Sequence, residues 1–111
     1  MVTKYRNKKC VHNGQTFDSQ AELRRYLELS FAEKAGRISG LTRQVSFVLA
    51  PKTVINGKPK RSLIYRADFQ YMEKGSDVVT VEDVKGMLTP VYKIKRHLMQ
   101  TVHGISIKET K

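Results

Sequence analysis

The chain has one cysteine, Cys10, no tryptophan and only three prolines among its 111 residues. A single thiol excludes an intramolecular disulfide, and Cys10 has no cysteine or histidine partner at a zinc-finger spacing. His97 and His103 lie six apart and share no helical face with a third ligand, so a zinc site is not expected either. Nothing around Cys10 would lower its pKa, which argues against a thiol nucleophile. Apolar runs are short. None could span a bilayer, and residues 1–9 are too polar for the core of a secretory signal, so a cytoplasmic protein with no membrane partner is expected. Acids are scarce too. Ten Asp and Glu stand against 21 Lys and Arg, a formal charge of +11 that favours a polyanionic partner, above all nucleic acid.

What is present is a globular composition, 40% apolar and 28% charged, with enough chain for one domain over residues 1–111. Residues 1–9 carry Lys4, Arg6, Lys8 and Lys9 and read as a basic arm suited to phosphate. Asn13-Gly14 predicts a tight hairpin between Cys10-Val11-His12 and Gln15-Thr16-Phe17. Ser19-Gln20-Ala21-Glu22 has capping-box spacing and opens a helix with Leu23, Tyr26, Leu27 and Phe31 as its apolar positions, ending near Gly36. Residues 41–49 alternate as a strand, with Leu41, Arg43, Val45, Phe47 and Leu49 on one face. Residues 52–61 form an exposed loop or hairpin tip with Lys52, Lys58, Lys60 and Arg61 positioned for phosphate.

Two further strands, 62–71 and 78–85, are joined by a turn-like run and should pair antiparallel. Thr89-Pro90 starts a second helix whose apolar positions are Val91, Ile94, Leu98 and Val102, with Gly104 as its stop. Ile105 and Ile107 suggest a last strand. The resulting order is helix, three strands, helix, strand, with no internal repeat.

The acids matter because they sit inside apolar strands. Alternation in residues 64–71 sends Ala67, Phe69 and Tyr71 one way and Arg66, Asp68 and Gln70 the other. In the next strand Asp83 and Lys85 share a face while Glu82 points opposite. Pairing through the short turn brings Asp68 beside Asp83, and two adjacent carboxylates repel unless a cation joins them. Mg²⁺ or Mn²⁺ suits such oxygen ligands, and a metal-bound water beside Lys85 is what phosphodiester hydrolysis needs.

An Asp followed, after a turn, by an acid-x-Lys triplet on the next strand resembles the PD-(D/E)xK nuclease signature, here Asp68 and then Asp83-Val84-Lys85. Phe17-Asp18-Ser19-Gln20-Ala21-Glu22, Tyr65-Arg66-Ala67-Asp68-Phe69, Val81-Glu82-Asp83-Val84-Lys85-Gly86 and Thr89-Pro90-Val91-Tyr92-Lys93 resemble a phage and prophage family of that superfamily over nearly the whole chain. Ala67 stands where the motif's name has proline. The resemblance implies a restriction-endonuclease-like α/β core with a mixed central sheet flanked by helices. It also implies a divalent-metal-dependent DNA endonuclease, in the host cytoplasm if phage-encoded. Asp68, Asp83 and Lys85 would be catalytic, with Glu22 as a further acid from the first helix, and Asp68, Asp83, Glu22 and the Val84 carbonyl would hold one or two ions. Size and charge are similar to those of Holliday-junction resolvases. That likeness implies duplex or branched DNA and a homodimer, because symmetric cutting takes two active sites.

Several residues keep two readings. Glu22 either binds metal or closes the capping box with Ser19, and one carboxylate cannot fully do both. Glu82 is a further acid of the site only if a bulge turns it round. Gln44 is a candidate for contact with the metal water or a phosphate, or an ordinary hydrogen-bonding residue. Lys8, Lys9, Lys58, Lys60, Arg61, Lys93 and Arg96 are the candidate nucleic-acid contacts, against the alternative of solvated surface. The rival function is a non-catalytic basic nucleic-acid-binding protein in which the acids are structural.

Overall fold

Two long strands, β3 (Ile38–Ala50) and β6 (Leu63–Glu73), pair antiparallel and carry most of the fold. The structure is a computed structural model and describes residues 8–111; the arm's Lys4 and Arg6 lie outside that range. β6 continues into β7 (Val79–Val84), again antiparallel, and β8 (Lys108–Thr110) adds to β7 in parallel, giving a mixed sheet in the order β3-β6-β7-β8. α1 (Gln20–Lys34) and α2 (Pro90–His103) supply the two helices. Two small ribbons stand apart from this sheet: β1 (Cys10–His12) with β2 (Gln15–Phe17), and β4 (Thr53–Ile55) with β5 (Lys58–Lys60).

Local chemistry accounts for the boundaries. The Ser19 hydroxyl caps α1 by accepting from the Glu22 amide, and Thr89 does the same for Tyr92 of α2 with Pro90 in the first turn. Gly104 ends α2 at φ +68°, a conformation that costs glycine least. The final strand starts later than Ile105 and Ile107, which instead pack under α2 as its lead-in.

Burial sorts the apolar side chains into two cores. Leu49, Tyr65, Ala67 and Val81 pack with Tyr92 and Met99 of α2, whereas Ile38, Phe69 and Tyr71 pack with Leu29 of α1. Strict alternation along β6 would keep residues 65, 67, 69 and 71 on one face. They divide instead at Asp68. β3 divides likewise at Gln44, with Leu41 on the α1 side and Phe47 and Leu49 on the α2 side. The register Arg43 to Phe69 and Val45 to Ala67 puts Gln44 opposite Asp68, so both strands turn over at the same step. Gln44 takes φ +54°, a left-handed conformation rare for a residue with a side chain.

Both helices follow their apolar patterns only in part: Tyr26 of α1 and Leu98 of α2 pack against the cores, and other apolar positions face outward. Leu27 and Phe31 of α1 are exposed, and the helix buries Glu22 and Leu29. On α2, Val91, Ile94 and Val102 are 62%, 62% and 51% exposed, while Tyr92 and Met99 are buried and Lys95 and Arg96 half-buried. For α1 the cause is Arg25, whose guanidinium reaches under the helix to the fully buried Glu82 at 2.5 and 3.0 Å. Glu82 also accepts from Tyr71 at 2.5 Å and Thr110 at 3.0 Å. A charged pair with added hydroxyl donors thus occupies what a hydrophobic helix face would otherwise fill.

Three mutational outcomes follow from this packing. Arg25→Ala should cost about 3–5 kcal/mol, because it leaves a buried carboxylate unpaired. Met99→Ala should cost about 2–5 kcal/mol, but Ile94→Ser on the outward stripe should change stability by no more than about 0.5 kcal/mol. Urea unfolding of the three variants measures all of these, and a costly Ile94→Ser would show that the stripe is covered.

Candidate active site

The step where β3 and β6 turn over forms the floor of an open cleft of about 420 Å³, lined by Asp18, Gln44, Ile64, Arg66, Asp68, Asp83, Lys85 and Lys95. Asp68, Asp83 and Lys85, the three residues the strand pattern singled out, therefore meet. Antiparallel pairing of Phe69 with Glu82 carries the register on to Asp68 and Asp83, placing the carboxylates side by side. Asp68 accepts from the Val84 amide at 2.8 Å. Asp83 is buried, accepts from the Tyr65 hydroxyl, and lies 3.6 Å from the Lys85 ammonium. Lys85 in turn sits 4.2 Å above the Tyr92 ring, a contact that steadies the cation over the cleft.

The two acids share an electrostatic problem. Burial, followed by the hydrogen bond and negative charge of Asp83, pushes the Asp68 carboxyl up to about 8 despite the Val84 amide, with Glu22 adding to the rise. Burial and the bond to Asp83 push the Tyr65 phenol far above its ordinary range, so it stays a donor. Around these groups, Arg66 and Lys95 take part in no ion pair among the described residues. The cleft thus joins a proton-sharing acid pair to cations with spare capacity.

Glu22 sits beside this cleft without lining it. It is buried, and its two oxygens accept from the Asp18 amide at 2.8 Å and from the Gln44 side chain at 2.9 Å, with Arg43 at 3.8 Å. Its cap role is therefore filled one residue earlier than a standard box, and Gln44 stands between it and Asp68. Glu82 points away from the cleft, as alternation gives it: the β6–β7 register runs without a bulge there, and the side chain lies on the α1 side with Arg25. Burial raises its carboxyl, but Arg25, Tyr71 and Thr110 hold it below the usual range. Lys93 and Arg96 belong to a separate shallow cleft with His97 and Gln100, and Arg96 bonds Glu109 at 3.0 Å. Lys95 is the cation that α2 turns toward Asp68, and the sequence pattern missed it together with Asp18; Arg66, which alternation put on the Asp68 face, was not among the candidate site residues. A helix face counted from Tyr92 at intervals of three and four would have found Lys95.

Hard oxygen donors in pairs suit Mg²⁺ or Mn²⁺, which keep several waters. Among the described residues no three Asp, Glu, His or Cys gather closely enough to hold an ion by themselves. Asp68 and Asp83 could supply two carboxylate ligands to such an ion, with water completing its shell.

The carboxyl pair makes stability pH-dependent. With its folded pKa raised above the ordinary value near 4, Asp68 binds a proton in the fold that the unfolded chain has lost, so stability falls as pH rises from about 4 to about 8. Asp68→Asn keeps an acceptor for the Val84 amide and removes the conflict. Without metal, its stability advantage should grow over that window by up to about 1.4 kcal/mol per pH unit. A difference from the parent that is flat with pH in urea titrations would refute the shared-proton pair.

No curated protein and no solved structure matches the chain. The family model described as a protein of unknown function, DUF1064, matches residues 2–109, and the chain belongs to that family.

Proposed function

We propose that this protein is a divalent-metal-dependent DNA endonuclease with a restriction-endonuclease-like core. The observation that carries the reading is the convergence of Asp68, Asp83 and Lys85 in one open cleft, with Arg66 and Lys95 at its walls. Resemblance of Asp68 and Asp83-Val84-Lys85 to the PD-(D/E)xK signature supports it, as does the charge of +11. The mixed sheet with two helices is consistent with such a core.

In this reading Asp68, Asp83 and the Val84 carbonyl would hold Mg²⁺ or Mn²⁺, which supplies an acidified water and offsets charge building on the phosphate. Tyr65 keeps Asp83 oriented by donating to it, and the Tyr92 ring holds the Lys85 ammonium over the cleft. With a metal bound, Lys85 would stabilise the nucleophile and the developing oxyanion. Arg66 and Lys95 draw in the scissile phosphate. Glu22 positions Gln44, and through it the floor of the cleft, rather than serving as a ligand. Cutting of branched DNA in the manner of a resolvase belongs to the same proposal and requires a homodimer. Sedimentation of the protein on junction DNA distinguishes that version from a monomeric duplex nuclease.

Incubation with supercoiled plasmid and with four-way junctions should show cleavage that requires Mg²⁺ or Mn²⁺. Asp68→Ala and Lys85→Ala should each lower the rate by about 10²–10⁴-fold, in the range expected for loss of a group acting on the transition state. Undiminished cleavage by both variants would reject the site. Binding that ignores divalent ions, with no cleavage of any DNA form, would instead favour a non-catalytic nucleic-acid-binding protein.

A further inference from the structure

No Asp or Glu occurs between Glu33 and Asp68, whereas Lys34, Arg37, Arg43, Lys52, Lys58, Lys60, Arg61 and Arg66 fall in that stretch. From Ile38 on, the fold makes this stretch into one object, the long β3 and β6 pair with the β4 and β5 ribbon at its far end. Residues 51–61 are all exposed, Val54 and Ile55 included. A two-stranded ribbon that covers no core is marginal by itself. Here the Asn56-Gly57 turn, with φ +51° and +76°, and the ladder alone shape it. Its four cations, Lys52, Lys58, Lys60 and Arg61, take part in no ion pair among the described residues.

The ribbon's register sets Lys58 opposite Ile55 and Lys60 opposite Thr53, so one face is basic and the other carries Val54 and Pro59. A two-stranded ribbon fits the major groove of duplex DNA, which is about 12 Å wide. Single strands are held mainly by aromatic stacking platforms, and no aromatic residue lies between Phe47 and Tyr65. The chemistry of the ribbon thus selects a duplex.

Chain length sets the distance. Ser62, at the ribbon's base, is six residues from Asp68, about 20 Å along a strand, and Gly57 at its tip is eleven residues away, at most about 36 Å. At about 3.4 Å per base pair these spans equal roughly 6 and 10 base pairs. The molecule, 52 × 45 × 24 Å, is long enough to hold both contacts on one face.

We propose that the β3 and β6 pair is a measuring track. The ribbon enters the major groove of the same duplex whose scissile phosphate lies at Asp68, so the substrate must be double-stranded for about 6–10 base pairs on one side of the cut. This rests on the endonuclease reading of the cleft and adds to it the duplex flank as a substrate requirement.

The test uses tailed duplexes of about 6 to 20 base pairs with constant total length, single-stranded tails replacing the missing pairs. Fluorescence anisotropy with the full chain should show affinity rising about tenfold or more between roughly 6 and 12 base pairs. Mapped Mg²⁺-dependent cuts should leave an uncut margin of about 6 base pairs at one duplex end. A variant with residues 53–60 replaced by Asn-Gly should melt at the parent temperature, lose the length step, and show a log–log salt slope smaller by about 2. The double variant Lys58→Glu, Lys60→Glu tests the same point with the ribbon in place. Affinity independent of duplex length in the parent, or a length step surviving in both variants, overturns the track. Cleavage without a length step sinks the track alone, and a length step without cleavage in any DNA form sinks the nuclease reading alone.

Discussion

A carboxylate with no access to water must have its lone pairs answered from within the protein, and Glu82 draws Arg25 from α1, Tyr71 from β6 and Thr110 from β8. Four elements meet at this one side chain. Because a guanidinium accepts few geometries with a carboxylate, the pair fixes how α1 is rotated over the sheet. That rotation turns Leu27 and Phe31 outward and brings Glu22 up against Gln44. The position of the cleft thus follows from an ion pair on the opposite side of the sheet.

Glu82 and Asp83 are chain neighbours, both buried, and their surroundings differ in kind. Glu82 is met by donors on every side, which holds it charged and inert. Asp83 has a hydroxyl and a lysine for company but also faces Asp68, and the crowding of two acids pushes the Asp68 carboxyl up. The left-handed backbone at Gln44 lies opposite this pair. Backbone strain and like-charge crowding at one spot are costs that the fold carries where chemistry is expected and nowhere else along β6.

Much of this architecture was legible in the residues. Asn-Gly turns, the Ser19 and Thr89 caps, Pro90 and Gly104 punctuate the chain, and the structure breaks at each of them. Period-two alternation in β7 was enough to separate Asp83 and Lys85 from Glu82. Alternation failed in β3 and β6 because a turnover that inserts no residue leaves no mark in composition, and glutamine is an unexpected residue for positive φ. The helix faces were misread for another reason. Periodicity assigns apolar residues to the core, whereas α1 buries Glu22 and half-buries Arg25, and α2 buries Tyr92 while Lys95 and Arg96 lie alongside. Glu22, Arg25, Tyr92 and Arg96 have partners on distant strands, and a local pattern cannot reveal a partner 57 residues away.

The outward stripe of α2 gives this protein an unusual colloidal character. Val91, Ile94 and Val102 would invite adhesion between copies, yet each copy carries +11 and repels the next. Separation of copies in solution would therefore rest on that mutual repulsion rather than on a surface free of apolar residues. A polyanion that neutralised the charge would also remove the barrier between stripes, so charge neutralisation and contact between copies are linked.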